Sequence, residues 1–198
     1  MNNPKPDPRF TELDIIHRKV DEAYAKAIAN SKMKPACGMN CPGCCKEPVY
    51  ADRIEAERIL ASLSQSQIEE LKPKLVEWLR RFYASGLQQM ETPNVHQYRA
   101  LNLPCPLLSG TLCGVYPVRP MACRTHFALR PKKYCDDDVL RHQQKYALNQ
   151  DIVSKAGQMI AMIQNHGVYD HLCVLLGELL FGRQPETASR AEYTVTTS

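Results

Sequence analysis

The chain carries nine cysteines in 198 residues, and four of them, Cys37, Cys41, Cys44 and Cys45, fall within the nine residues CGMNCPGCC. No apolar packing pattern asks for four thiols that close together, so this cluster constrains the chain more than any other feature. An odd number of cysteines excludes complete internal pairing, and the density lies below that of a small disulfide scaffold. Cysteines two or three residues apart can wrap one metal through a tight turn, and Gly38, Pro42 and Gly43 supply the turn chemistry. Thiolate sulfur selects zinc, copper(I) or iron–sulfur clusters over hard cations. Adjacent cysteines seldom ligate one ion together, so the side chains of Cys44 and Cys45 are expected to diverge, one of them serving a second site or a second layer.

The sequence around the cluster reads as mostly helical. Residues 1–10 hold three prolines and read as a flexible arm. Thr11 with Asp14 resembles a capping box, and Leu13, Ile16, Val20, Ala23, Ala27 and Ile28 recur at helical spacing, which predicts a helix over 11–31. Pro48-Val-Tyr-Ala is short and extended. Asp52 caps a helix carrying Ile54, Ile59 and Leu60. Ser64 with Gln67 starts another, whose stripe of Ile68, Leu71, Leu75, Trp78, Leu79 and Phe82 is interrupted by Pro73, predicting a kink or a break there. Helical character returns from Asp138 to His166-Gly167, with the Asp136–Asp138 run as a solvated helix start, and a last helix covers 169–181. Residues 11–183 read as a single domain and 184–198 as a flexible tail.

Residues 87–135 differ. They hold six prolines and four cysteines with few periodic apolar positions. Leu107–Tyr116 reads as a β-hairpin turning at Ser109-Gly110. A stretch this irregular needs a covalent or metal tie, and Cys105, Cys113, Cys123 and Cys135 lie within it. Four plus four thiols make either one four-cysteine site with spare thiols or two sites. Cys173, among Val174, Leu175 and Leu176, reads instead as a small buried hydrophobe. The expected fold is mainly α, its helices bracketing an irregular cysteine-rich metal-binding centre with a short β-hairpin. A metal would then supply folding energy to that centre, so chelation should loosen 87–135 before the flanking helices.

The first cluster is followed by Pro104-Cys105-Pro106-Leu107-Leu108, then Gly110-Thr-Leu-Cys113-Gly-Val-Tyr116, then Arg119-Pro120-Met-Ala-Cys123-Arg124. This order resembles the CxxCxxCC family of zinc- or iron-chelating proteins over roughly residues 37–127. One departure is visible, since the first gap here is three residues rather than two. The resemblance implies metal binding by Cys37, Cys41, Cys44, Cys45, Cys105, Cys113 and Cys123, and leaves the metal, zinc or iron, open. Longer proteins with a similar cysteine pattern are flagellin lysine methylases, which brings an iron–sulfur role, such as a 4Fe-4S cluster, into view by analogy; such analogy transfers no activity.

Arg119 and Arg124 flank Cys123, where they would either tune the site by donating to cluster sulfurs or an anionic ligand, or pair with a carboxylate. Tyr116 is expected to pack over the site. His126 has C-x2-H spacing from Cys123, suited to zinc, although a plain polar histidine is the simpler reading. His17, His96, His142, His166 and His171 are scattered and suggest no role.

Three function classes remain. The first is a metal-binding protein holding zinc, iron or an iron–sulfur cluster. The second is an iron–sulfur enzyme or electron-transfer protein. Cys37-x3-Cys41-x2-Cys44 has the radical S-adenosylmethionine spacing, but Gly43 stands where that family has an aromatic residue, and the strand–helix alternation of a partial barrel is missing. The third is a zinc-stapled interaction module. Lys32, Lys34, Arg130, Lys132 and Lys133 lie near the cysteines, yet the net charge of +4 is mild and argues against nucleic acid. The charge also counts thiols as neutral; one divalent metal or cluster core on four thiolates lowers it by two, and two such sites bring it to zero. The N-terminus MNNPKPDPRF lacks the apolar region of a secretory signal, and the longest apolar stretch, Leu172–Phe181, contains Glu178 and is too short to span a bilayer. A soluble cytoplasmic protein with no membrane partner is the expectation, its protein partners unspecified.

Overall fold

A computed structural model describes residues 7–30, 37, 41–89, 95–128, 132–136, 140, 146–147, 150–163 and 167–182. Eight helices and six short strands are formed among these residues. The first helix, α1 (Pro8–Asn30), begins three residues ahead of the predicted start. Asp7 is the reason: its carboxylate accepts the Arg9 amide at 2.9 Å, and Pro8 occupies the first helical position, where a missing N–H costs nothing. Residues 8–10, expected in the arm, are therefore helical. The stripe Leu13, Ile16, Val20 and Tyr24 is buried, together with His17, while Ala27 faces solvent.

After the short strand β1 (Tyr50–Asp52), helix α2 (Arg53–Ser62) starts at the predicted cap, with Glu55 accepting the Asp52 amide at 3.1 Å. Helix α3 (Gln65–Ala84) starts at Ser64, whose hydroxyl takes the Gln67 amide while Gln67 takes the Ser64 amide. It runs through Pro73 as one element rather than breaking there. Burial of Leu71, Leu75, Trp78, Leu79 and Phe82 on one face offsets the hydrogen bond that Pro73 removes.

Next come α4 (Val95–Ala100) and the predicted hairpin of β2 (Leu108–Ser109) and β3 (Leu112–Cys113). Ser109 pairs with Leu112, so the turn falls on Gly110-Thr111, one residue later than expected. Gly110 supplies the required positive φ of 60°. Two four-residue helices, α5 (Met121–Arg124) and α6 (Lys133–Asp136), flank β4 (Phe127–Ala128), which pairs with β5 (Tyr146–Ala147).

The third long helix, α7 (Gln150–Ile163), begins well after the predicted Asp138, because residues 146–147 are drawn into the ladder with β4. The expected start at Asp138 lies outside the described residues, as do His142, the His166 stop, Lys32, Lys34, Arg130, the first six residues and the tail from 183. The last helix is also shorter than predicted. Tyr169–His171 forms β6, antiparallel to β1 with Tyr50 opposite His171, and α8 (Leu172–Phe181) follows. No helix among the described residues is long and apolar enough to cross a membrane.

The apolar interior has two parts. The larger joins α2, α3, α8 and the hairpin region, and Cys173 sits in it as expected. The smaller joins α1 to α7 through Leu13, Ile16, Val20, Tyr24, Ala156 and Ile160, with Ile54 from α2. Between them lies Glu55, 2% exposed, which takes His17 Nε2 at 2.8 Å and the Met121 amide at 2.7 Å as well as the Asp52 amide. His171, assigned no role from sequence, caps α8 by accepting the Cys173 amide at Nδ1. Its ring stacks 4.7 Å from Trp78 and lies beside Tyr50, Phe82 and Tyr98.

Two outcomes are expected. Glu55→Ala strands three donors in the interior and should cost about 3–5 kcal/mol, read from the urea midpoint. Burial pushes His171 down from 6.5 to about 3. The unfolded chain therefore binds a proton at His171 over that pH range while the folded chain does not. Stability should fall as pH drops through the window, approaching about 1.4 kcal/mol per pH unit. His171→Asn keeps a capping acceptor without the titration, so its denaturation midpoint should depend less steeply on acid than that of the wild type.

Candidate metal centre

The cysteines meet where the irregular centre folds back on the first cluster. Pro42-Gly43 turns the chain into a 3-10 turn, Gly43–Lys46, closed by Cys45 N to Pro42 O at 2.9 Å and by Glu47 N to Cys44 O at 3.0 Å. Glu47, buried at the end of that turn, is held by Arg99 Nε at 3.0 and 2.9 Å to its two oxygens. The turn is thereby fastened to α4. On its other side the Cys105 amide donates to the Cys45 carbonyl at 2.7 Å, docking the downstream cysteine stretch directly on the upstream one.

From Cys105 the hairpin brings Cys113 round, and Gly114 N donates to Leu107 O at 2.9 Å. A second 3-10 turn, Tyr116–Val118, leads through Arg119-Pro120 into α5, which carries Cys123. Arg124 fixes this passage. Its Nε donates to Arg119 O at 2.8 Å, its Nη2 to Pro117 O, and its Nη1 pairs with Asp21 of α1. Cys37 joins from upstream, its sulfur 3.1 Å from the Ala128 amide. Cys135 on α6 packs so tightly on Gly43 that a Cβ there would stand 2.8 Å from the Cys135 Cβ.

Together these segments wall a cavity of about 100 Å³ lined by Cys37, Cys41, Cys44, Cys45, Cys113, Cys123 and Cys135, with Tyr116, Arg119 and His126 among the other lining residues. Of the eight cysteines singled out from sequence, Cys105 alone does not line it. Cys44 and Cys45 both line the cavity. The nine cysteines form no disulfide.

The two arginines separate. Arg119 lines the cavity, stacked 4.0 Å over the Tyr116 ring, with Nη1 on Tyr116 O at 3.0 Å and Nη2 at 3.5 Å from Asp21. Arg124 lies outside the lining and takes the carboxylate-pairing role. Asp21 is shared between the two guanidinium groups, so one carboxylate balances two cations and Arg119 brings net positive charge to the cavity wall. Tyr116 packs at the site as expected, and His126 is part of the wall, its ring pKa pushed down by burial.

The electrostatics favour neutral thiols when no cation is present. A hydrogen bond with Cys45, followed by burial, drives the Cys44 thiol far upward. Burial pushes Cys105 up to about 12 and raises Cys123 and Cys37 as well, with neighbouring thiols adding to each. Burial also raises Cys113, where the Arg119 charge opposes the shift. No three Cys, His, Asp or Glu side chains among the described residues converge closely enough to hold one ion. The donor set nonetheless fits a thiophilic metal, because a cation reverses this balance by replacing the protons and drawing sulfurs inward.

Several positioning residues had no signal in the sequence. Asp21 and Glu47 are distinguished only by their long-range partners, while Glu55 carries the local signal of a capping box with Asp52 but none of its contacts to His17 and Met121.

Comparison with curated proteins and with solved structures finds no match. A family model does match. It is described as CxxCxxCC, "putative zinc- or iron-chelating domain", and it spans residues 36–151, which takes in every cavity cysteine. The chain belongs to this CxxCxxCC family.

Proposed function

We infer that the cavity is a thiolate metal centre for zinc or iron, held by Cys37, Cys41, Cys44, Cys45, Cys113, Cys123 and Cys135, with Cys105 beside them. The observation that carries this reading is the convergence of seven thiols, from segments spread over about a hundred residues of sequence, on one cavity. A buried cluster of thiols has no packing purpose on that scale, and soft sulfur donors select zinc, copper(I) or iron. The metal supplies cross-links between segments that are otherwise joined by short turns and backbone hydrogen bonds, and it acts as a Lewis acid or redox centre if a position stays open. Arg119 balances part of the negative charge that several thiolates leave after a dication is bound. Tyr116 and Phe127 contribute aromatic rings to the cavity wall.

An iron–sulfur cluster is the second reading, supported by the cavity's size. A water molecule needs ~10–15 Å³, so about 100 Å³ accommodates more than a single ion.

Purification without oxygen, with iron, zinc and acid-labile sulfide measured per chain, tests this. Stoichiometric zinc in a colourless protein supports the zinc centre, and iron with sulfide in a brown protein supports the cluster. A folded chain with neither metal sinks the proposal. Chelation should also speed amide exchange at Cys105, Gly114 and Cys123 before it does so in α3 and α8, as followed by hydrogen–deuterium exchange. Uniform loosening would count against a metal cross-link in this centre.

A further inference from the structure

Three arginines stand around the cysteine centre, and two of them are committed to the protein itself. Arg99 gives its Nε to both oxygens of Glu47. Arg124, 5% exposed, donates from every nitrogen of its guanidinium, to Arg119 O, Asp21 and Pro117 O. Arg119 differs. Its side chain is 14% exposed and lines the cavity. A guanidinium carries one N–H on Nε and a pair on each Nη. Arg119 engages one of each pair, Nη1 on Tyr116 O at 3.0 Å and Nη2 at 3.5 Å from Asp21 Oδ1. Its Nε–H and the second N–H of each Nη have no partner among the described residues, and none of them is hydrogen-bonded to a cavity sulfur there.

A cation that is mostly buried with part of its donor set unused is costly to keep unless something else completes it. Asp21 does not, because it is shared with Arg124 and leaves one positive charge over. The plane of the Arg119 guanidinium is nonetheless fixed, stacked 4.0 Å over the Tyr116 ring and held by the carbonyl of the same residue. A planar guanidinium held in place with unused N–H groups matches the paired oxygens of a carboxylate or phosphate. Holding it in advance also lowers the entropy lost when such a group binds. Space is available as well. A water molecule needs ~10–15 Å³, so the cavity of about 100 Å³ takes a group of several heavy atoms beside a metal ion.

We propose that Arg119 is an anion-binding residue, and that the cavity takes a small ligand bearing an oxyanion, a carboxylate or phosphate group, which Arg119 holds beside the metal. The inference rests on the metal-centre reading above and deepens it by naming the class of ligand. It also separates two roles for the arginine. Offsetting thiolate charge needs only a cation nearby, whereas holding an oxyanion needs the fork of N–H donors that Arg119 keeps unused and Arg124 does not.

The test uses the full chain isolated with its metal, with iron and zinc measured per chain so that the metal-centre reading is judged separately. Acetate, inorganic phosphate and the neutral acetamide are titrated by calorimetry at constant ionic strength. In parallel, modification of arginines by phenylglyoxal is mapped by peptide mass spectrometry with and without each compound. Acetate or phosphate should bind once per chain and slow the modification of Arg119, and acetamide should do neither. Protection by acetate points to a carboxylate ligand, and protection by phosphate alone to a phosphate. Arg119→Gln should weaken the anion by about tenfold or more, and Arg119→Lys, which keeps the charge without the fork, by less. No anion binding by the metal-loaded wild type overturns the proposal and leaves the metal-centre reading intact. So does unchanged affinity in an Arg119→Gln variant that keeps its metal and its helical circular dichroism. A folded wild type with neither metal overturns both readings. If Arg119→Gln does not fold, the mapping on the wild type decides alone: protection of Arg119 supports the proposal, and unchanged modification overturns it.

Discussion

A single buried carboxylate joins the parts of this molecule. Glu55 lies in the first turn of α2, between the two apolar interiors, and is reached by donors from three directions: His17 of α1, the Asp52 amide at the end of β1, and the Met121 amide that opens α5. A carboxylate is costly to bury unless its oxygens are occupied, so the three donors and the acceptor specify one another's positions. The consequence for the site is direct. Met121 lies two residues before Cys123, so the bond that closes the start of α5 also sets where that sulfur stands. The helical framework and the cysteine centre are thus coupled through a few polar contacts as well as through the apolar interior that Leu107, Val115 and Val118 share with α2, α3 and α8.

The same device recurs around the cavity. Arg99 grips Glu47 at the end of the first cysteine turn, and Arg124 reaches back to two carbonyls of its own segment and across to Asp21 on α1. These contacts orient loops alongside the apolar side chains, such as Leu107, Val115 and Val118, that the loops bury. They fix the backbone while leaving the sulfurs to hydrogen bonds and burial, both of which favour the neutral thiol. A centre built this way holds its donors near one another in the protonated form and surrenders protons only to a cation that repays the exchange.

Much of the fold could be read from the sequence where helical periodicity met a sound cap, as at Asp52 and Ser64. It was misread where a local signal was ambiguous. Pro8 looked like part of a loose arm because its value as a first helical residue depends on Asp7 turning back to cap it. Pro73 suggested a kink or a break because its cost is visible locally, whereas the depth to which the stripe's Trp78 and Phe82 are buried is not. The strands at 146–147 and 169–171 are too short to carry a period of their own and exist because β4 and β1 offer partners. Among the site residues, Arg119 and Arg124 were indistinguishable by position, and the cavity wall, which Arg119 lines and Arg124 does not, separates them.

What the sequence determined by itself is the chemistry: which residues are thiols, and that four of them sit on one turn. Those are properties of composition and short-range spacing. Its expectation that the proline-rich centre lacks apolar packing did not hold, since Leu103, Leu107, Val115 and Val118 are buried in the larger interior. Only the tertiary structure decided which thiols share a cavity, that Cys135 joins them and Cys105 does not line it, that Cys44 and Cys45 face the same space, and that Gly43 is required for a close approach. These are relations between segments up to about ninety residues apart. They follow from the docking of one loop on another through backbone hydrogen bonds and buried ion pairs, which no local pattern encodes.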